Sequence, residues 1–277
     1  MGIVDQVISA LRPIRFRGKG RLLGNFIRNS GIRRAKVFGC EVELDLEDLI
    51  QRMVYLGTYE QEEAALVSSY LKPGMTFVDV GANVGFYTLL AASRVGPDGR
   101  VIAFEPSPYA AERLEKTVAA NRLQQVQVIR AGLGSREGET LLYTPLPGNH
   151  TPSMLGESGS PAVSVPIMTL DACMSDLGVE AVDLLKIDVE GYEPLVLAGS
   201  VEALAAGRIR AVLCEFNDYW LNRAGTDARG LYQTLLAAGF VDTNAGTEIS
   251  TGGVATRLLI YRPTQTLPGQ RLVEVHR

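Results

Sequence analysis

Cysteine is scarce in this sequence. Three occur in 277 residues, Cys40, Cys173 and Cys214, and no two form a C-x-x-C pair. That spacing argues against a zinc site or a disulfide frame and suits a reducing cytoplasm. Histidine is scarcer still, with two residues. No run of eighteen apolar residues occurs, so no membrane-spanning helix is expected. The first residues lack the basic, apolar and small-residue order of a secretory signal. No internal repeat is present. Apolar content is what the chain does have: 46% of its residues are hydrophobic, enough for one large core.

The net charge of −4 hides an asymmetry. Residues 1–36 hold nine Lys and Arg (Arg12, Arg15, Arg17, Lys19, Arg21, Arg28, Arg33, Arg34, Lys36) against Asp5, a local charge of +8 that leaves −12 for the rest. A basic arm on an acidic body fits an anionic partner or carrier, or a solvated face with no partner. Phe16 and Phe26 do not interleave with the basic residues as in single-strand binders, so no nucleic acid is expected.

Alternating Val42, Leu44 and Leu46 predict a short strand, and Ile50, Met53 and Val54 a helix. A second helix carries Ala64, Ala65, Val67 and Leu71 and ends at Pro73-Gly74. Strands are then predicted at 76–80, 101–105, 126–130, 139–144, 163–168, 182–188, 209–216, 239–243 and 256–262. Helices are predicted at 84–94, 108–121, 194–206 and 228–238. Such alternation predicts an α/β domain. The Gly-, Pro- and Ser-rich stretch 144–162 reads as a long surface loop. The chain thus divides into a basic arm (1–40), a helical lid or cap (41–74), the α/β domain (75–263) and a tail (264–277).

The stretch "FVDVGANVGFYTLLAASRVGPDGRVIAFEPSP" begins at Phe77. Gly81 lets the backbone turn and approach a ligand, and Gly85 permits close contact where the next helix starts. The spacing is D-x-G-x-x-x-G, not the G-x-G-x-x-G that seats a pyrophosphate. Glu105 ends the next strand, where a carboxylate accepts both ribose hydroxyls of a nucleoside. Asp79 suits a cationic group better than a phosphate. S-adenosyl-L-methionine has the ribose, an ammonium and a sulfonium and no phosphate, so it fits these residues better than NAD does.

A second constellation lies in "VDLLKIDVEGYEPLVLAG" from Val182. Lys186, Asp188 and Glu190 alternate, which in an extended strand puts them on one face. In a buried strand such charges must pair or serve a site at the strand's C-terminal end. Glu215 and Asn217 share a face at the end of the next strand. Asp188, Glu215 and Asn217 together suit either a hard cation such as Mg²⁺ or a hydrogen-bond network that shapes the pocket.

These motifs, with "YLGTYEQEE" and "TLDACM", resemble the FkbM-type S-adenosylmethionine-dependent methyltransferases over residues 41–263. The resemblance implies a Rossmann-like class I methyltransferase fold: a seven-stranded, mostly parallel sheet with one antiparallel strand and helices on both faces. It implies methyl transfer to a hydroxyl of a sugar, glycolipid or polyketide-type secondary metabolite. Matched onto this chain, Asp79, Gly81, Asn83 and Gly85 line the methionine end. Glu105, with Pro106 beside it, holds the ribose, and Ala131, Gly132 and Leu133 wall the adenine. Where many methyltransferases carry an acid beside the adenine amino group, this chain has Arg130 and Ala131.

Methyl transfer to an alcohol needs a base or a metal near the methyl group. Asp188 is the first candidate base, with Lys186 beside it. His150, in the 144–162 loop, is the second, or it is merely solvated. Tyr59 and Glu60 reach over the cofactor as a lid, or Tyr59 packs a helix face. Two other classes stay open: a nicotinamide-dependent oxidoreductase on a similar fold, and a non-catalytic adenosyl-binding scaffold subunit. The acceptor and the oligomeric state, a dimer included, stay open as well.

Overall fold

The computed structural model describes residues 23–24, 27, 30–143, 152–156, 160–244 and 253–262. The chain enters through a hairpin, β1 (Ile32–Val37) and β2 (Cys40–Asp45), followed by helices α1 (Leu49–Leu56) and α2 (Gln61–Tyr70). A strand–helix alternation follows: β3 (Thr76–Val80), α3 (Phe86–Val95), β4 (Arg100–Phe104), α4 (Pro108–Ala120) and β5 (Val126–Ile129). Next come β6 (Gly132–Leu133), β7 (Gly138–Tyr143), β8 (Ala162–Met168) and α5 (Leu170–Asp176). The chain returns through β9 (Leu184–Ile187), α6 (Glu193–Ala198), α7 (Val201–Ala205) and β10 (Ala211–Asn217). It then runs through α8 (Asp218–Arg223), α9 (Ala228–Ala237), β11 (Phe240–Asp242) and β12 (Val254–Tyr261).

Seven of these strands form one sheet in the order β11-β12-β10-β9-β3-β4-β5. β12 runs antiparallel to both its neighbours, and the other pairings are parallel. This is the expected class I methyltransferase architecture. Apolar side chains on both faces of the central strands explain it. Val78, Val80, Ile102, Phe104, Leu185 and Ile187 meet Leu170, Val196, Leu231 and Leu235 of α5, α6 and α9 on one side. Phe77, Val101, Leu184 and Leu213 meet Val67 of α2 and Tyr87, Leu90 and Val95 of α3 on the other.

Several elements differ from expectation. The helix expected over 194–206 is two, broken at Gly199 and Ser200. Strands β1 and β6 and helices α5 and α8 were not foreseen; α5 is capped by Thr169, whose hydroxyl accepts the Ala172 N–H at 3.2 Å. Part of the expected loop, 144–151 and 157–159, lies outside the described residues, while Ser153 bridges back to Tyr143.

The boundary expected after residue 40 falls inside the β1–β2 hairpin, and this is a correction. Val37 and Cys40 are buried with Val42, Leu44, Val54, Leu56 and Ile27 in one apolar cluster. Arg34 and Lys36 of β1 sit on the outer face and are answered across the hairpin, where Arg34 faces Glu43 and Lys36 faces Glu41. Arg34 and Glu43 form an ion pair at 3.0 Å. The far edge of β2 is covered by side chains. Asn121 donates to Glu41 O and accepts from Glu41 N, each at 2.8 Å. Arg113 donates to Glu43 O at 2.7 Å, and Gln51 Oε1 accepts from Asp45 N at 2.9 Å.

Candidate active site

A cleft of about 570 Å³ opens over the C-terminal ends of β4, β3, β9 and β10. Open parallel sheets place ligands at this end. Its floor is the turn after β3. Gly81 has φ +82°, and a Cβ there would sit 2.0 Å from the Asp188 carbonyl oxygen. Only glycine lets the loop and the Asp188 backbone touch in this way. Asn83 also holds positive φ, at 49°, and its Oδ1 accepts the Val84 N–H at 2.8 Å. Glu60 and Glu190 share this strained state, with φ of 35° and 52°. All three line the cleft, and strain of this kind collects at functional sites.

Glu105 follows β4 and closes one end. Its two oxygens accept the Asn83 and Ser107 N–H groups, each at 2.7 Å. Burial pushes its carboxyl up to about 7 in spite of those bonds. Each oxygen retains a second lone pair for a ligand hydroxyl. Pro106, Ser107 and Tyr109 extend this end.

The opposite end is acidic. Lys186 is 5% exposed; its Nζ lies 3.1 Å from Asp188 Oδ2 and 4.8 Å above the Tyr87 ring. Burial alone would lower the ammonium's proton affinity, but Asp188, Asp79 and Glu60 outweigh it and raise it. Tyr87 donates its hydroxyl to Glu60 Oε2 at 2.6 Å, and Tyr59 stacks edge-on against Phe86 at 5.0 Å. Burial, followed by the charge of Asp188, pushes Glu190 up to about 8 and Glu215 up to about 9. Glu190 and Glu215 each keep a buried Oε2 without a hydrogen-bond partner, and both side chains line the cleft.

The cleft therefore offers a carboxylate with lone pairs left for a ligand's hydroxyls at one end, a glycine floor, and carboxylates with unused oxygens at the other. A nucleoside carrying a positive charge fits this pattern, and a pyrophosphate does not. The family described as Methyltransferase FkbM domain matches residues 79–241, more than half of the chain. The chain belongs to this family. It is 34% identical to the methyltransferase sdnD of Sordaria araneosa over 44% of this chain and 59% of that protein. It is 32% identical to the 31-O-demethyl-FK506 methyltransferase FkbM of Streptomyces tacrolimicus, over 53% of this chain and 67% of that one. It is 25% identical to the 2-O-methyltransferase NoeI of Sinorhizobium fredii, over 61% and 74%. The chain spans less than two thirds of the length of sdnD and of two further curated relatives.

Within this FkbM domain several expected residues stand elsewhere. Asp79 is 0% exposed and lies beneath the floor. Its Oδ2 accepts from Thr88 at 2.7 Å, and its Oδ1 lies 3.9 Å from Lys186 Nζ. Gly85 does not line the cleft; at φ +93° it lets α3 approach Leu114 of α4, where a Cβ would sit 2.3 Å from Cδ1. Ala131 and Leu133 are buried, and Gly132 and Leu133 form β6, which pairs with β8; none of the three lines the cleft. Lys186, Asp188 and Glu190 do not share a strand face, because β9 ends at Ile187. His150 lies outside the described residues.

The metal reading gains no support. Among the described residues no three His, Cys, Asp or Glu are placed to hold a metal ion. Asp188 already faces the Lys186 ammonium, and Asn217, at the N-cap position of α8 without a side-chain capping bond, is not part of the cleft lining. Tyr59, Glu60, Gly81, Asn83, Glu105, Pro106, Lys186, Asp188 and Glu215 do come together there. Sequence reasoning missed Tyr87, Ser107, Tyr109 and Met154 as lining residues and gave Glu190, grouped with Lys186 and Asp188, no role of its own. Met154 lies on the segment read as surface loop, and burial to 9% exposure had no sequence signal.

Proposed function

We propose that this chain is an S-adenosylmethionine-dependent O-methyltransferase acting on a hydroxyl of a sugar, glycolipid or polyketide-type metabolite. One observation carries the reading: Glu105 and the carboxylates Asp188, Glu190 and Glu215 face each other across a glycine floor. Glu105 suits the ribose hydroxyls, and the acidic end suits the sulfonium and ammonium. The relatives named as O-methyltransferases support transfer to oxygen. When bound, the cofactor supplies an electrophilic methyl group.

This chain's own residues then have three tasks. Gly81 and Asn83 shape the floor, and Asn83 N–H holds Glu105 toward the ribose. Lys186 fixes the Asp188 carboxylate beside the transfer point. Tyr59, Phe86 and Met154 give the cleft an apolar wall that limits water at the reacting centre. The basic residues from Arg12 to Arg28 are a contact for an anionic partner or carrier, and the three buried, free thiols suit a reducing cytoplasm.

The test is a thermal-shift and calorimetric comparison of S-adenosylmethionine with NADH, followed by mass spectrometry of sugar, glycolipid and polyketide alcohols incubated with cofactor. Binding of the methyl donor and one added methyl on an alcohol are expected. Stabilisation by NADH instead points to the oxidoreductase reading. Binding without methylation of any alcohol points to the scaffold reading.

A further inference from the structure

This inference rests on the cofactor just proposed. Glu105, Gly81 and Asp188 directly follow β4, β3 and β9, and Glu215 lies near the end of β10; these strands are neighbours in that order. Adjacent strands lie about 4.8 Å apart. A nucleoside anchored at Glu105 therefore carries its 5′-sulfur over β3 and β9, about one strand spacing from Glu215. Asp188 faces the same point, but its Oδ2 already holds the Lys186 ammonium at 3.1 Å. Glu215 has no such tie, since its Oε2 is buried without a hydrogen-bond partner. The charged and titratable groups around it are Lys186 and Asp188 from β9 and its end, Glu190 from the following turn and Glu193 from α6. Glu60 and Tyr87 share a small cavity with it. Lys186 is the cation of that set.

We propose that Glu215 is the charge-compensating base of this site: the bound sulfonium faces its carboxylate, cofactor binding drives its proton into solvent, and methyl transfer returns one from the acceptor hydroxyl. The step balances. The S–CH₃ bond breaks with its electron pair left on sulfur, the C–O bond forms, and the hydroxyl proton moves to Glu215 Oε2. The cofactor loses its positive charge as the carboxylate loses its negative one, so the low-dielectric cleft does not accumulate charge. The sulfur of S-adenosylhomocysteine is neutral and lacks this partner, which favours release of product.

Calorimetric titration of the full-length protein in two buffers of different ionisation enthalpy counts the protons. It needs no acceptor. At a pH about one unit below the Glu215 value of about 9, about one proton should leave per S-adenosylmethionine bound and none per S-adenosylhomocysteine. Glu215→Gln should bind S-adenosylmethionine more weakly relative to S-adenosylhomocysteine and, at saturating ligand, release no proton with either. Equal proton counts for the two ligands in the wild type overturn the proposal, and that comparison does not depend on the variant folding. Release that persists in Glu215→Gln overturns it too. Failure to bind S-adenosylmethionine at all instead overturns the proposed function on which it rests.

Discussion

Replacing Lys186 with methionine should destabilise the domain by about 3–5 kcal/mol, the usual cost of stripping one partner from a buried ion pair. Lys186 is 5% exposed and Asp79 0%, so bulk solvent screens little of their interaction. At the 3.9 Å separation of Lys186 Nζ and Asp79 Oδ1, the attraction is about 4 kcal/mol at an effective dielectric near 20. Without the ammonium, Asp79 retains Thr88 as its side-chain donor, and Asp188 faces Glu190 and Glu215 with no cation between. The loss should lower the melting temperature by about 10 °C, taking 2–4 °C per kcal/mol for a domain of this size. Urea unfolding followed by the fluorescence of Trp220, the single tryptophan, reads it directly. The deficit must also depend on pH. Burial raises the folded-state Asp79 carboxyl above its ordinary value. Its contribution is therefore full below the unfolded value of about 3.9 and is lost as pH rises through the folded value. Removing Lys186 raises that folded value further, so the variant should fall progressively behind wild type as pH increases. Asp79→Asn in the same chain should recover part of the loss. A deficit below about 1 kcal/mol, or one independent of pH, would refute the view that Lys186 holds these carboxylates together.

Glu105→Ala should weaken S-adenosylmethionine binding by about 2–3 kcal/mol through lost charge-assisted hydrogen bonds; unchanged affinity in calorimetry removes its ribose role. Because the ionised form accepts both hydroxyls, wild-type affinity should rise as pH climbs through about 7, and a flat profile counts against it. Gly81→Ala should lose cofactor binding and at least about 1–2 kcal/mol of stability from the positive φ alone; a variant that binds normally shows that the loop relaxes away from the Asp188 carbonyl. Deleting residues 1–36 removes most of β1 and Ile27 and should lower the unfolding midpoint in urea; an unchanged midpoint would show that the hairpin is dispensable to the core.

Much of this was legible in the sequence, for physical reasons. The strands with two apolar faces announce a buried parallel sheet, and Glu105 and the glycine turn sit where topology requires them. Other features were hidden because they depend on partners distant in sequence. The run "IRRAKV" reads as a charged arm until Glu41 and Glu43 are seen opposite Lys36 and Arg34. Asp79 was expected in the cleft because its strand ends there, but strand alternation turns its side chain toward Thr88 and Lys186. Gly85 looked like a ligand glycine and proves to be a packing glycine, since only the fold brings Leu114 against it. Glu190 was legible as an acid, but its place in the cleft depends on a positive φ that sequence spacing does not announce.

The side-chain cover on β2 has a consequence for how this molecule meets others. An exposed strand edge is a template on which another chain can zip. Here Asn121 supplies a donor and an acceptor to Glu41 as a neighbouring strand would, and Arg113 and Gln51 occupy the groups at Glu43 and Asp45. Three side chains impersonate a missing strand one residue at a time, without presenting an edge of their own. The hairpin can thus remain two strands wide beside the cleft and still be closed to recruitment along this border by its own unfolded copies.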